Sequence, residues 1–283
     1  MQRVLDPAQI EAFATQRAIP RIRLPDPTSV FSSRAARLRQ LSEGHAVGDY
    51  LRLMATVADA QQSALHAHRD SDWRVVLVTL CETIAATEGF PEGVTAACKR
   101  ILALPADTLE EQADLLLSNA TEGVDAQAAP FITAALQVCQ TRTVCSLSPD
   151  EVTERAAALH IPGTCPMCGA LPVASVVRAE KAYQGYRYLH CSLCATEWHL
   201  VRIKCSQCES TEGIHYHSVE GSSSAIRAES CDRCKTYRKI CYQEQDMEVE
   251  PVADDLGSLA LDLLMSEAGF HRGSGNPLLW QVS

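Results

Sequence analysis

Eight cysteines constrain this chain more than any other feature. They form two copies of the spacing C-x2-C-x22-C-x2-C: Cys165, Cys168, Cys191 and Cys194, then forty positions later Cys205, Cys208, Cys231 and Cys234. Two residues between cysteines let a tight turn aim both sulfurs at one point. Two such knuckles, joined by a hairpin, bring four thiolates into a tetrahedron around one ion. One C-x2-C pair is weak evidence for this, but two four-cysteine units in register are strong evidence.

The competing readings are narrower. Redox-active C-x2-C disulfides occur singly, at a helix N-terminus in a βαβ setting that this sequence lacks. An interleaved cross-brace would pair the first knuckle with the third, whereas equal gaps favour sequential pairing. Tetrahedral S4 suits zinc and a single iron alike, so the expected cofactors are two Zn or Fe ions, one per set. A catalytic metal keeps an open coordination position, and four thiolates close it. No Ser-His-Asp order, Gly-rich phosphate loop or H-E-x-x-H helix is found, so the expectation is a protein that is not an enzyme.

The 283-residue chain is long enough for more than one domain, and 46% hydrophobic residues supply an ordinary core. Met1–Ile10 is polar with no apolar segment behind it, and no run of about 18 apolar residues exists. These features predict a cytoplasmic protein without membrane insertion, where thiols stay reduced and paired cysteines read as metal ligands. A formal net charge of -10 makes a nucleic-acid-binding zinc ribbon an unfavoured alternative. Lys and Arg near the cysteines, among them Arg202, Lys204, Arg233 and Lys235, are expected to offset the thiolate clusters.

The fold class expected is α+β: a helical N-terminal domain over residues 1–160, metal modules over 161–200 and 201–243, and an amphipathic helix with a tail over 244–283. The modules are expected to be rubredoxin-like or zinc-ribbon units, with the boundary near Ile161-Pro162-Gly163. The first part is rich in helix formers. Asp49–His66 shows helical spacing, Trp73–Ile84 reads as a buried helix, and Ser148–Glu151 and Asp107–Glu110 resemble capping boxes. Leu171–Val177 and Tyr183–Leu189 are β-prone. Near the end, Val252, Leu256, Leu259, Leu263 and Leu264 form one apolar stripe, with Asp254, Asp255 and Asp262 falling mostly away from it.

Other residues have weaker claims. His190 and His199 flank the second knuckle but face complete thiolate sets. His215 and His217 should share an exposed strand face, and Cys241 should be a free thiol. Trp198 reads first as packing over the metal site and second as a partner-binding anchor. Residues 244–267 hold eight Asp plus Glu and no Lys or Arg. The run is either a solvated face or an acidic docking surface that includes Asp254 and Asp255.

Cys165-Pro166-Met167-Cys168-Gly169, Pro172–Arg178, and Arg187–Trp198 with its His190-Cys191-Ser192-Leu193-Cys194 core resemble the formate dehydrogenase accessory protein family FdhE. So do Glu250–Leu256 with Ser258–Asp262 and, more loosely, Arg34–Leu38, Gly44-His45 and Gly48-Asp49-Tyr50. The resemblance implies a cytoplasmic, non-enzymatic maturation factor or chaperone whose partner is the catalytic subunit of membrane-bound formate dehydrogenase. It implies that the eight cysteines hold metal in a rubredoxin-like manner. A rubredoxin-like iron protein with a redox or electron-transfer role is the alternative.

Overall fold

A computed structural model of the chain describes residues 19–67, 72–120, 122–158, 163–221 and 223–279. The polar opening Met1–Ile10, the boundary residues Ile161 and Pro162, and the end of the tail lie outside the described residues. The first part is helical, as its composition implies: α1 (Val30–Ser42), α2 (Gly48–Ala67), α3 (Trp73–Ala86), α4 (Glu92–Leu102), α5 (Ala106–Leu117), α6 (Ala129–Cys145) and α7 (Pro149–Ala158). The most enclosed of these is α6, which packs on α2, α3 and α5 through side chains such as Phe131, Ile132 and Val138.

Local signals account for several boundaries. The Ser148 backbone N–H donates to Glu151 Oε2 at 2.8 Å and the Glu151 N–H donates to Ser148 Oγ at 3.3 Å, a reciprocal cap that starts α7. The second capping signal fails. Asp107 lies inside α5, which begins after Pro105 without a side-chain cap. Trp73–Ile84 is helical and capped by Asp72, but Val75 and Val78 are 46% and 41% exposed, so one face stays open.

The strands are β1 (Ile22–Arg23), β2 (Pro172–Val177), β3 (Arg187–Cys191), β4 (Glu197–His199), β5 (Ile214–His217), β6 (Ile226–Cys231), β7 (Thr236–Tyr242) and β8 (His271–Arg272). They form one sheet in the order β1-β4-β3-β2-β7-β6-β5, with β8 also beside β7. The forty-residue offset maps β2, β3 and β4 onto β5, β6 and β7. The two modules therefore repeat within one sheet, third strand to first, and are joined by the parallel pairing of β2 with β7 at Ser175↔Ile240, Val176↔Cys241 and Val177↔Tyr242. β2 is buried along its whole length, as an inner strand covered on both faces must be.

The expected division into helical domain and metal modules is not matched by a break in packing. One hydrophobic cluster runs from Phe31, Leu51 and Leu80 through Phe131 and Ile132 to Cys165, Met167, Leu189, Cys194 and Trp198. A second, smaller cluster joins Val176, Tyr188, Tyr237 and Cys241 to Leu261 and Met265.

The C-terminal helix differs from its expected form. It is two short helices, α8 (Pro251–Leu256) and α9 (Leu259–Glu267), broken at Gly257-Ser258. The break changes the helical phase. Val252 and Leu256 stay in the core, while Leu263 and Leu264 are 68% and 46% exposed. The carboxylates turn inward instead. Asp254, at 2% exposure, accepts from Arg37 Nε at 2.9 Å and Nη2 at 2.7 Å, and Arg34 Nε reaches Glu250 at 3.1 Å. Asp255, fully buried, is paired with Arg272, and Lys239 Nζ donates to Asp262 at 2.6 Å. The reading of Asp254 and Asp255 as a docking surface is therefore corrected: both are consumed inside the molecule by cations from α1, β7 and β8.

Burial raises the Asp254 pKa even with Arg37 beside it. Removing the guanidinium strands that charge. Arg37→Met is expected to cost about 3–5 kcal/mol in urea unfolding, and Arg37→Met with Asp254→Leu to recover most of the loss.

Candidate metal centres

All four knuckles are built alike. In the first three, the backbone N–H of the first cysteine donates to the carbonyl five residues on, Cys165 to Ala170, Cys191 to Thr196 and Cys205 to Ser210, and in the fourth Cys231 stands opposite Thr236 in the β6–β7 ladder. The residue after the second cysteine takes a positive φ each time: Gly169 (80°), Ala195 (57°), Glu209 (61°) and Lys235 (56°). This left-handed turn closes the knuckle. Only one of the four positions carries the glycine that a sequence search would notice.

The eight sulfurs fall into two sets with sequential pairing, and within each set all four lie within 4.8 Å of one another. Sγ–Sγ separations across the knuckles are 3.6 Å for Cys165–Cys194, 3.4 Å for Cys168–Cys191, and 3.7 Å for both Cys205–Cys234 and Cys208–Cys231. A tetrahedral S4 site with bonds of about 2.3 Å has edges of roughly 3.8 Å, so both sets fit an ion without rearrangement. Either zinc or iron would be held by protein sulfur alone, which leaves no position for a substrate.

Sulfur acceptors are preformed. The Leu193 and Cys194 N–H groups donate to Cys191 Sγ at 3.4 Å, and the Gln207 N–H donates to Cys205 Sγ at 3.4 Å. The hydroxyls of Thr196 and Thr236, forty positions apart, lie 3.2 and 2.9 Å from Cys194 and Cys234 Sγ. Each can donate to a thiolate. Burial pushes the Cys165 and Cys191 thiols up, while hydrogen bonds from its three partner thiols pull Cys194 down. In the second set, burial raises Cys205 to about 12. Burial also opposes the Cys234 thiolate, yet hydrogen bonds from the Thr236 hydroxyl and backbone N–H bring it to about 7. The repeated C-x-T signal was available in the sequence and was missed.

The two sites differ in setting. Cys165, Cys191 and Cys194 belong to the main hydrophobic cluster, whereas Cys208 and Cys234 of the second site are half-buried. Gly163 links them. Its φ is +74°, and a Cβ there would stand 2.4 Å from the Ser206 carbonyl oxygen in the third knuckle.

The charge compensation expected from Arg202, Lys204, Arg233 and Lys235 needs correction. Arg202, Arg233 and Lys235 are exposed, and Lys204 and Lys235 are paired with Glu209 and Asp232. The cation built into the second site is Arg238, 4% exposed and without a carboxylate partner among the described residues. Its Nε donates to Ser206 Oγ at 2.9 Å, between Cys205 and Cys208 in sequence. Burial, with Arg187 and Arg272 nearby, lowers its pKa to about 10, which leaves it cationic at neutral pH.

The remaining candidates fall outside both sulfur sets. His190 Nδ1 faces Glu197 Oε1 at 3.0 Å, and His199 packs edge-on against Tyr186 and Tyr188. His215 is exposed and half-buried His217 bonds Ser230, while Cys241 is a buried free thiol pushed up by burial. Trp198 is 8% exposed in the main cluster and pairs with Ile22 of β1. Its packing reading holds, and the reading as an exposed partner anchor is corrected.

The comparisons with known proteins agree along the chain. The model for "FdhE, N-terminal" matches residues 19–68 and 63–157, that for "FdhE, central domain" residues 164–202, and that for "FdhE, C-terminal domain" residues 203–279. The chain belongs to the FdhE family. A Protein FdhE homolog from Cronobacter sakazakii is 40% identical over 94% of this chain and 93% of its own. Protein FdhE from Salmonella paratyphi A is 38% identical over the same shares. The crystal structure of the FdhE protein from Pseudomonas aeruginosa superposes with a TM-score of 0.80 at 33% identity, covering 92% of this chain and 99% of that one. The central and C-terminal FdhE segments each carry one four-cysteine set, so the family's division follows the forty-residue repeat.

Cys191→Ser and Cys231→Ser are each expected to lose one ion of two, read as the metal-to-protein ratio by elemental analysis. Because metal binding in such sites is folding free energy of about 10 kcal/mol, Cys191→Ser should also lower the melting transition of the helical part, which shares its core.

Proposed function

We propose that this chain is a cytoplasmic maturation factor and chaperone that binds the catalytic subunit of membrane-bound formate dehydrogenase and is needed for its assembly into active enzyme. The observation that carries this reading is the end-to-end family match together with both four-cysteine sets, complete and closed. Closed S4 sites shape a surface rather than open a coordination position to a substrate, so the protein acts by binding and not by catalysis. Among the described residues no helix is long and apolar enough to cross a membrane, which fits a factor that meets its client before export.

The client contact is assigned to exposed apolar side chains, not to Trp198, Asp254 or Asp255. Val201 and Ile203, in the segment joining the two metal sites, are 58% and 63% exposed, close to half-exposed Tyr216, whose hydroxyl donates to the Arg202 carbonyl. Adjacent exposed aliphatics of this kind are common where a soluble protein meets a partner. Immobilised protein loaded with metal is expected to capture the formate dehydrogenase catalytic subunit. Val201→Asp with Ile203→Asp should reduce capture at unchanged metal content. No capture by the parent protein, under conditions where other maturation factors bind the same subunit, would sink the reading.

A further inference from the structure

The sheet ends at β1 on one side and at β5 on the other, and the two edges are finished differently. β1 is two residues long and stands between Pro20 and Pro25, which have no N–H to offer a further strand. β5 is four residues long, Ile214-His215-Tyr216-His217, with no Pro, no Lys and no shift of register against β6. It lacks the devices that usually keep an exposed edge from pairing.

The ladder fixes where its backbone groups point. The Asp232 N–H donates to the Gly213 carbonyl at 2.9 Å, just before β5 begins. Bonded and non-bonded pairs alternate along an antiparallel ladder, so His215 and His217 direct their backbone groups to Ser230 and Ala228 of β6. The other flank of β6 has the complementary phase. There the Tyr242 N–H donates to the Ala225 carbonyl at 2.7 Å, which sets Arg227 and Glu229 toward β7. Ile214 and Tyr216 therefore aim N–H and C=O away from β6. Among the described residues neither meets a backbone partner on that side. The edge is open: His215 and Tyr216 are exposed, and Ile214 and His217 half-buried.

The side chains of Ile214 and Tyr216 share one face of the sheet. On that face the Tyr216 hydroxyl donates to the Arg202 carbonyl at 3.3 Å, which sets the edge beside exposed Val201 and Ile203. On the other face His215 Nε2 lies 2.9 Å from Asp232 and His217 Nε2 2.8 Å from Ser230 Oγ. One side of the edge is apolar and the other polar. In an added antiparallel strand, a residue directly opposite Ile214 or Tyr216 would point its side chain to the apolar side. Its own N–H and C=O would pair with theirs.

We propose that β5 is a docking edge, where an extended segment of the client, apolar at every second residue, adds as an antiparallel strand. A client that is still folding exposes strands whose backbone groups lack partners, and this edge supplies partners at strand spacing. That the strand belongs to the client rests on the function proposed above. A second copy of this chain fits less well. Twofold pairing in the register that uses both Ile214 and Tyr216 would set His215 against its own counterpart, at a pair where side chains approach most closely.

The test is titration of metal-loaded, full-length, isotope-labelled protein with acetyl-Ser-Val-Thr-Val-Thr-Val-Ser-amide, read by amide exchange in NMR spectra. In the free protein the Ile214 and Tyr216 amides are expected to exchange freely, and those of His215 and His217 to be protected. The peptide should protect Ile214 and Tyr216. N-methylation of its valines removes the donors opposite β5 and should weaken binding by about tenfold or more. N-methylation of its threonines, whose N–H groups face away, should weaken it by less than about twofold. Tyr216→Pro removes an edge donor without touching the β6 ladder and should abolish binding at unchanged metal content. If that variant does not fold, the peptide series decides alone. No protection on adding peptide, equal loss from both methylations, or Ile214 and Tyr216 already protected in the free protein would each overturn the docking edge. Protection of the same two amides on concentrating the protein alone would overturn the client strand in favour of a second copy. Peptide binding without capture of the catalytic subunit would keep the edge and reject the client reading. Capture by Tyr216→Pro protein as strong as by the parent would keep the client reading and reject the edge.

Discussion

Four sulfurs within 4.8 Å of one another, twice over, are the constraint on which the rest of the molecule depends. Four thiolates cannot be held so close without a cation between them. A bound ion would turn each pair of knuckles into a fixed corner of the sheet. From those corners run β2–β3–β4 and β5–β6–β7, and the parallel pairing of β2 with β7 makes one sheet of two repeats.

The first corner has a further role. Its knuckles lie in the same hydrophobic cluster as α2, α3 and α6, and Gln137 Nε2 of α6 donates to the Ser192 carbonyl inside the second knuckle at 2.6 Å. Gln137 in turn accepts from Gln61 Nε2 at 2.9 Å, so a buried polar chain runs from α2 to the metal site. The second corner lies nearer the sheet edge and is more exposed, with Arg238 as its built-in cation. The two copies of one spacing therefore serve different mechanical ends.

Much of the metal chemistry was legible in the sequence, because a four-cysteine spacing repeated in register leaves few geometries. The helical first part, the capping box at Ser148 and the strand at Leu171–Val177 were legible for the same local reasons. What was not legible depends on contacts between distant segments. Nothing local marks Arg34 and Arg37 as partners of Glu250 and Asp254, or His45 as the group that bonds the Gly257 carbonyl at 3.0 Å where α8 ends. Those pairings bury the aspartates that composition had placed outside. The expected amphipathic helix is instead two, broken at Gly257-Ser258, and Leu263 and Leu264 are exposed. The segments Arg34–Leu38, Gly44-His45 and Glu250–Leu256 carry the family resemblance at opposite ends of the chain, and in the fold they touch.

The claim that the first metal site is part of the main core, not an appended module, is tested most directly by hydrogen–deuterium exchange on metal-loaded and chelated protein. The account predicts that chelation removes amide protection from both pairs of knuckles and also from α6, through its contact with the second knuckle. Full protection of α6 after complete metal removal would contradict it.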